Sequence, residues 1–336
     1  MTRNAAITIG GTTIAPGQRA SIDLPIADLY TGTSISMPVK VVCGKRRGPT
    51  LFVCAAIHGD ELNGVEIIRR LLKRKLLRSL QGTLIAVPVV NVHGFLDQSR
   101  YLPDRRDLNR SFPGSVRGSL ASRMAHTFVD EIVSRAEYGI DLHTGAINRS
   151  NLPQIRANIG DDRNLELAKA FGAPVVIDSA LRDGSLRECA AERGLPMLVY
   201  EAGEALRFDD LSIRAGLRGV FNVMRHLGML PGTSSGKPIK PVIANSTSWV
   251  RAPVSGVLSH KAELGSSVRE GERLAVVGDP LGEAEEKVLA PFDGIVIGRS
   301  NLPLAHEGDA LFNLAAFKSV SHAEVKIEKF AAKHAD

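Results

Sequence analysis

Residues Leu51 to Ile57, LFVCAAI, are all apolar, and the run stops at His58-Gly59-Asp60-Glu61. A short apolar run bounded by turn residues reads as a strand buried on both faces, as in the middle of a parallel sheet. Gly64 to Leu77 then repeats apolar residues at helical spacing, with Val65, Ile68, Leu72 and Leu76 on one face. His58 and Glu61 therefore sit three residues apart, where a buried strand gives way to a helix. A histidine and a carboxylate so placed can close on one metal ion from a single turn.

The same grammar recurs along the chain. Residues 1 to about 40 read as short strands and turns, and Met37 to Cys43 as a further strand. Thr83 to Val90 is a buried strand ending at Asn91, Tyr138 to Leu142 one ending at His143, and Met197 to Tyr200 one ending at Glu201. Pro174 to Asp178 is extended. Helices are predicted at Leu120–Ile132, Leu165–Phe171, Ser185–Arg193 and Leu211–Leu227, with Ser185 as an N-cap and Gly194 as a stop. This alternation predicts an α/β fold with a mostly parallel, mixed sheet and helices on both faces. His58, Asn91, His143 and Glu201 each follow a predicted strand. Sites in open α/β sheets gather at the carboxyl ends of strands, so these four are expected to converge.

A chain of 336 residues is long for one domain. Pro231 to Ser248, PGTSSGKPIKPVIANSTS, marks a boundary by its Pro, Gly and Ser content. Beyond it the chain reads as all-β with an internal repeat. Ala252-Pro253-Val254-Ser255-Gly256-Val257 returns as Ala290-Pro291-Phe292-Asp293-Gly294-Ile295, and Glu270-Gly271-Glu272 as Glu307-Gly308-Asp309. Two copies of one hairpin-like unit predict a small sandwich with pseudo-twofold symmetry. The expected division is an N-terminal β segment over 1–45, the α/β catalytic domain over 46–232, a β barrel-sandwich over 245–317 and a charged tail, helical or loose, over 318–336.

Composition narrows the function. The net charge is +6, but lysine and arginine are scattered, and aromatics make up 5% with one tryptophan, Trp249. Neither a basic stripe nor an aromatic platform for nucleic acid is present. A modest positive balance suits an enzyme that attracts small anions. Cys43, Cys54 and Cys189 form no CxxC pair and are expected to be reduced core residues. The N-terminus MTRNAAITIG lacks the apolar segment of a signal peptide, and no apolar stretch is long enough to span a bilayer. The expectation is a cytoplasmic protein with no membrane or nucleic-acid partner, and homo-oligomers stay open.

His58, Glu61 and His143 together offer two imidazoles and one carboxylate, the donor set of carboxypeptidase A and thermolysin, which leaves a fourth position for water. Such donors suit Zn2+, one per chain, and the absence of cysteine ligands argues against a structural zinc site. HxxE alone is a weak signal; its place at a strand end carries the reading. Asp141 precedes His143 by two residues and shares its strand face, where it can orient the imidazole. Glu201 can take a proton from an attacking water and pass it to a leaving amine. Glu204 reads as the cap of the following helix. Asp107-Leu108-Asn109-Arg110 lies in a long polar loop, and Asn109 and Arg110 can bind a substrate carboxylate, Arg110 by a bidentate fork. Arg100, Arg105 and Arg106 add positive charge nearby and read as solvated surface, with Arg100 kept beside Asn109, Arg110 and Arg156 as a candidate substrate-binding residue. Arg156 reads equally as a group polarising the scissile carbonyl or as a structural ion pair. His93 reads as packing, and no GxSxG elbow is present.

HGDELNG, NVHGF, DLNRSFPG, DLHTG and YEAGE, in this order between about residue 50 and residue 204, resemble the succinylglutamate desuccinylase and aspartoacylase family, a branch related to zinc carboxypeptidases. The resemblance implies a zinc-carboxypeptidase-like fold, zinc on His58, Glu61 and His143, and Glu201 as general acid/base. It also implies that Asn109 and Arg110 hold the substrate carboxylate. Val92 stands where the family often has proline, and Arg100 is the nearest counterpart of the arginine expected upstream of DLNR. The C-terminal repeat resembles the barrel-sandwich of biotinyl and lipoyl carriers. Leu281 to Lys287 lacks an MKM-like core, so no covalently attached cofactor is expected. In the family such a domain sits over the cleft and restricts entry to small substrates.

These readings converge on a zinc-dependent amidohydrolase that removes an acyl group from an N-acyl amino acid or related small carboxylate. The alternatives are a zinc carboxypeptidase acting on peptides, an N-acetyl-diaminobutyrate-type deacetylase of the same family, and a non-catalytic metal or carrier module.

Overall fold

The computed structural model describes residues 2–232, 240–259 and 262–334; residues 233–239 of the predicted boundary lie outside this set. The chain opens with β1 (Ile7–Ile9), β2 (Thr12–Ile14), β3 (Arg19–Asp28), β4 (Ser34–Cys43) and β5 (Arg46–Ala55). Then come α1 (Asn63–Leu72), β6 (Gln81–Val87), α2 (Val92–Leu96), α3 (Leu120–Glu131) and β7 (Tyr138–Gly145). β8 (Arg149–Ala157), α4 (Asp162–Phe171), β9 (Val175–Asp178), α5 (Leu186–Glu192), β10 (Met197–Glu204) and α6 (Asp210–His226) follow. The remainder is β11 (Val242–Ala244), β12 (Ser246–Arg251), β13 (Gly256–Ser259), β14 (Ser267–Val268), β15 (Arg273–Gly278), β16 (Glu285–Leu289), β17 (Gly294–Ser300), β18 (Leu304–Ala305), β19 (Ala310–Ala316) and α7 (Val320–His334).

The sheet is mixed. Its centre, β6–β5–β7–β10, is parallel. Its wings are antiparallel, with β4 on β6, β3 on β4 and β8 on β10. The run that opened the sequence lies in β5 and is buried on both faces. Phe52 and Cys54 pack with Met124 and Phe128 of α3 and Leu186 of α5. Leu51, Val53 and Ala55 pack on the opposite face with Ile67, Ile68 and Leu71 of α1, Leu167 of α4 and Val220 of α6. Continuous apolarity is what a strand between two helical layers requires.

The first helix differs from its expected form. It ends at Leu72, and Lys75–Ser79 forms a 3-10 turn. It buries Gly64, Ile67, Ile68 and Leu71 rather than a Val65–Leu72–Leu76 stripe. The reason is close approach: a Cβ on Gly64 would lie 2.6 Å from that of Ala55 and 2.7 Å from that of Leu142. Glycine lets the helix lie directly on the sheet, and this turns the predicted face aside.

β8 was not legible as a strand. Its first half pairs antiparallel with β17, Asn151 opposite Gly298, and its second half parallel with β9, Gln154 opposite Val175. Pro153 stands between the two halves, where the partner changes and a missing N–H is tolerated. Through β8 the main sheet continues into the C-terminal strands, in the order β10–β8–β17–β19–β12. A second sheet, β16–β15–β13–β18, closes a small apolar core of Leu258, Leu274, Val277, Phe312 and Leu314. Gly271 and Gly308, at matching places in the repeat, both have positive φ, +76° and +84°. The final segment is helical and docked. Ala323 and Ile327 pack with Val175 and Ile295, and Arg214 of α6 donates to the His334 carbonyl at 2.8 Å. No helix among the described residues is long and apolar enough to cross a membrane.

Candidate active site

At the end of β5 the backbone turns sharply. Ala56 has φ +51°, a left-handed value that strains a non-glycine residue. The carbonyls of Ala55 and Ala56 accept from Val90 at 3.0 Å and Asn91 at 2.9 Å, which ties this turn to the one after β6. A Cβ on Gly59 would lie 1.9 Å from the Gly94 carbonyl carbon. The HGD and NVHG segments thus touch backbone to backbone, and this contact sets the direction in which His58 leaves the strand.

His58, Glu61 and His143 come together in the crevice, with one possible ligand atom from each lying within 4.8 Å of the others. The His58 Nδ1 is 2.7 Å from Glu61 Oε1, and the His143 Nδ1 is 2.8 Å from Glu61 Oε2. Each outer ring nitrogen meets a carboxylate. His143 Nε2 is 2.6 Å from Asp141 Oδ2, and His58 Nε2 is 3.2 Å from Asp107 Oδ1. Both imidazoles therefore turn Nδ1 toward one point and are braced from behind. Behind Asp141, the Cys54 thiol donates to Oδ1 at 3.4 Å.

The electrostatics follow from this packing. Burial would raise the Glu61 carboxyl, but the two imidazoles outweigh it and hold the group well below the usual carboxylate range. Burial would lower both histidines. Glu61 and Asp107 instead raise His58, and Asp141 and Glu61 raise His143 well above the ordinary value. With both imidazoles neutral, two ring nitrogens and the Glu61 carboxylate face one point and form a donor set able to take a cation.

Glu201 is the register partner of His143 on the neighbouring strand. Its Oε2 accepts from Asn151 Nδ2 at 2.9 Å, and its Oε1 lies 3.1 Å from Arg156 Nε. A cavity of about 310 Å3 opens over these groups. Asn109, Arg110, Arg100 and Arg156 all line it. Asn109 Oδ1 accepts from the Leu186 N–H at 2.9 Å, which fixes the loop to the start of α5. Arg110 is exposed and donates to the Asn109 carbonyl. Arg100 is not free surface charge: it contacts Glu61 at 3.3 Å and Asp107 at 3.1 Å.

Of the four expected strand-end residues, Asn91 stays outside this cavity. Its side chain caps α2 by accepting from Gly94 N at 2.8 Å. His93 is buried away from the cavity, and Arg106 pairs with Asp104.

Several lining or bracing residues lie outside the set that the sequence motifs single out. Asp107 opens the DLNR segment, and its place at the head of that polar loop is the available signal. Asn151, Arg149 and Trp249 belong to β8 and β12, whose pairing no local pattern discloses. Arg182 and Arg187 flank the start of α5 and also face the cavity.

The catalytic-domain profile of the succinylglutamate desuccinylase/aspartoacylase family matches residues 47–227. The chain is 30% identical over 313 residues to the N-alpha-acetyl-L-2,4-diaminobutyric acid deacetylase of Halomonas elongata, covering 89% of this chain and 91% of that one. Among solved structures it is similar to a succinylglutamate desuccinylase/aspartoacylase from Rhodobacter sphaeroides, with TM-score 0.80, 27% identity, and 89% and 96% of the two chains covered. It is also similar to the product-bound ectoine utilization protein EutE (DoeB) from Ruegeria pomeroyi, with TM-score 0.80, 25% identity, and 89% and 95% covered.

Proposed function

Because this chain belongs to the succinylglutamate desuccinylase/aspartoacylase family and is an amide-bond hydrolase, we propose that it is a zinc-dependent deacylase of N-acyl amino acids or related small carboxylates. The observation that carries the reading is the meeting of His58, Glu61 and His143 beside Glu201 in a cavity rich in arginine. Two imidazole nitrogens and one carboxylate, with no thiolate, suit catalytic zinc. His58, Glu61 and His143 would hold the ion, which when bound supplies Lewis acidity toward water and a carbonyl oxygen.

The remaining steps fall to the chain's own groups. Glu201, oriented by Asn151 and Arg156, takes a proton from the water that attacks the amide carbonyl. It returns that proton to the leaving nitrogen as the C–N bond breaks. Arg156, which lines the same cavity, would stabilise negative charge developing on the carbonyl oxygen. Asn109 and Arg110 hold the substrate's α-carboxylate. A free carboxylic acid and an amino acid leave. Asp141 and Asp107 keep the two imidazoles in one tautomer and orientation.

In this reading the α/β half is zinc-carboxypeptidase-like and the C-terminal β barrel-sandwich, over 245–317, is a second domain that walls the cleft. Trp249 on β12 lines the cavity, and that wall favours small substrates over peptides. The similarity to the Halomonas elongata enzyme supports a second reading, deacetylation of an N-acetyl-diaminobutyrate. Three buried, unpaired cysteines suit the reducing cytoplasm.

A panel of N-acetyl, N-succinyl and N-formyl amino acids, assayed with zinc and after chelation, tests the proposal. Hydrolysis lost on chelation and restored by zinc is expected. No hydrolysis of any member, with cleavage of peptides instead, would replace it by the carboxypeptidase reading.

A further inference from the structure

Strand β8 does not run evenly beside β10. Gln154 lies opposite Glu201 and Asn151 opposite Gly203, so three steps along β8 match two along β10. The extra residue falls at Leu152-Pro153 and makes a bulge. Side chains of a regular strand alternate between faces, so residues three apart would point to opposite sides. The bulge cancels that alternation and turns both Asn151 and Gln154 to the face of Glu201. The Asn151 amide does reach that carboxylate, at 2.9 Å.

Gln154 is an anomaly on this face. It is 0% exposed, and neither its Nε2 nor its Oε1 has a hydrogen-bond partner among the described residues. Its neighbour on the other side, Val175 of β9, is apolar and buried. Gln154 is not part of the cavity lining, so substrate does not meet it. A buried amide without partners is costly, and an apolar side chain of the same shape would remove that cost. Departures from such local rules concentrate where function requires them.

The neighbour that can use this amide is Glu201. The atoms that meet Glu201 are both donors, Asn151 Nδ2 at Oε2 and Arg156 Nε at 3.1 Å from Oε1. The Arg156 approach is an ion contact rather than an aligned hydrogen bond. Donors suit the carboxylate. Once Glu201 has taken a proton from the attacking water, its O–H needs an acceptor, and neither contacting atom is one. Directly opposed residues on antiparallel strands have Cβ atoms about 4.5–5.5 Å apart, which puts the carbonyl of Gln154 within reach.

We propose that Gln154 is a positioning residue for Glu201, whose amide carbonyl accepts the O–H of the protonated carboxyl between the two proton transfers. The proton comes from water, rests on Glu201 while hydrogen-bonded to Gln154 Oε1, and leaves for the nitrogen as the C–N bond breaks. Gln154 itself neither gains nor loses a proton. This deepens the deacylase reading and rests on Glu201 as its acid/base group.

The test introduces Gln154→Met, with Gln154→Leu as a second apolar variant, into the native enzyme and into the Glu201→Gln variant. Kinetics use the substrate that the native, zinc-loaded enzyme hydrolyses fastest. In the native background kcat is expected to fall about tenfold, the loss of one hydrogen bond made during the reaction, with KM and zinc content unchanged. Urea unfolding should show stability equal to or above that of the parent, because the unpaired amide is gone. Glu201→Gln carries no transferable proton at this position, so there the added substitution should change the residual kcat by no more than about twofold. An unchanged kcat in both apolar variants, with Glu201→Gln still impaired, would overturn the proposal and leave the acid/base reading standing. An equal fall in both backgrounds, or a clear loss of stability, would also overturn it, since the amide would then be supporting the fold. Full turnover by Glu201→Gln alone would overturn the acid/base reading, and the role of Gln154 with it.

Discussion

Glu201 and His143 are register partners on the adjacent parallel strands β10 and β7. Their side chains leave the sheet on the same face, about 4.8 Å apart along the hydrogen-bonding direction. A carboxylate is thereby held beside the His58–Glu61–His143 cluster without belonging to it. Glu201→Gln should retain about one zinc per chain by elemental analysis while kcat falls by roughly 10²–10⁴-fold. Normal turnover by this variant would remove Glu201 from the mechanism.

Asp107 and Asp141 brace the two imidazoles from behind, at 3.2 Å and 2.6 Å. Loss of such a brace typically weakens metal affinity by roughly 10–100-fold. Asp107→Asn should therefore raise the zinc dissociation constant within that range in a competition titration with a chelating dye. An unchanged constant would reduce Asp107 to a loop-capping residue, a role it also fills by accepting from Asn109 N at 2.8 Å.

Gly59 has no room for a side chain, since a Cβ would overlap the Gly94 carbonyl carbon at 1.9 Å. Gly59→Ala must push two turns apart, which costs on the order of 1–3 kcal/mol. Denaturant unfolding should show this loss, and zinc affinity should fall with it because His58 leaves from the displaced turn. A variant as stable and as tight for zinc as the parent would contradict the packing described here.

Glu66 on α1 accepts from Arg70 Nε at 2.7 Å and from Arg69 Nη2 at 2.8 Å. Hydrogen bonds from Arg69, joined by those from Arg70, lower its pKa from 4.5 to about 2 despite the opposing effect of burial. The folded value lies below the unfolded one, so the contribution is complete above pH 4.5 and disappears as pH falls toward 2. Arg69 is largely exposed, so solvent screening limits the effect to about 1 kcal/mol. Glu66→Gln should flatten the stability–pH curve between these values relative to the parent and leave metal binding unchanged. Parallel curves for parent and variant would show that the arginines contribute no net stability.

The parts of the site that were legible lie where strand patterns end. His58, His143 and Glu201 follow apolar runs whose burial the two helical layers demand, so their side of the sheet could be inferred before their contacts. Asn91 obeyed the same rule and yet turned to cap α2, because a polar residue after a strand can serve the backbone as readily as a ligand. Asp107 was visible within DLNR, but its reach to His58 depends on a long loop folding back. Arg100 looked like solvated charge, since a surface arginine and one bridging Glu61 and Asp107 have the same local sequence.

The apolar run of β5, the HxxE turn and the order of strand-end polar residues were determined by sequence alone, because burial on two faces and a three-residue spacing are local demands. Strand β8 was decided only in three dimensions. Its polar residues and Pro153 carry no strand signal, and its pairing with β10, β9 and β17 comes from long-range closure of the sheet. That closure brings Asn151 to Glu201 and Arg149 to Trp249. The wall of the candidate site's cavity thus arises from hydrogen bonding between distant segments, which no periodicity along the chain records.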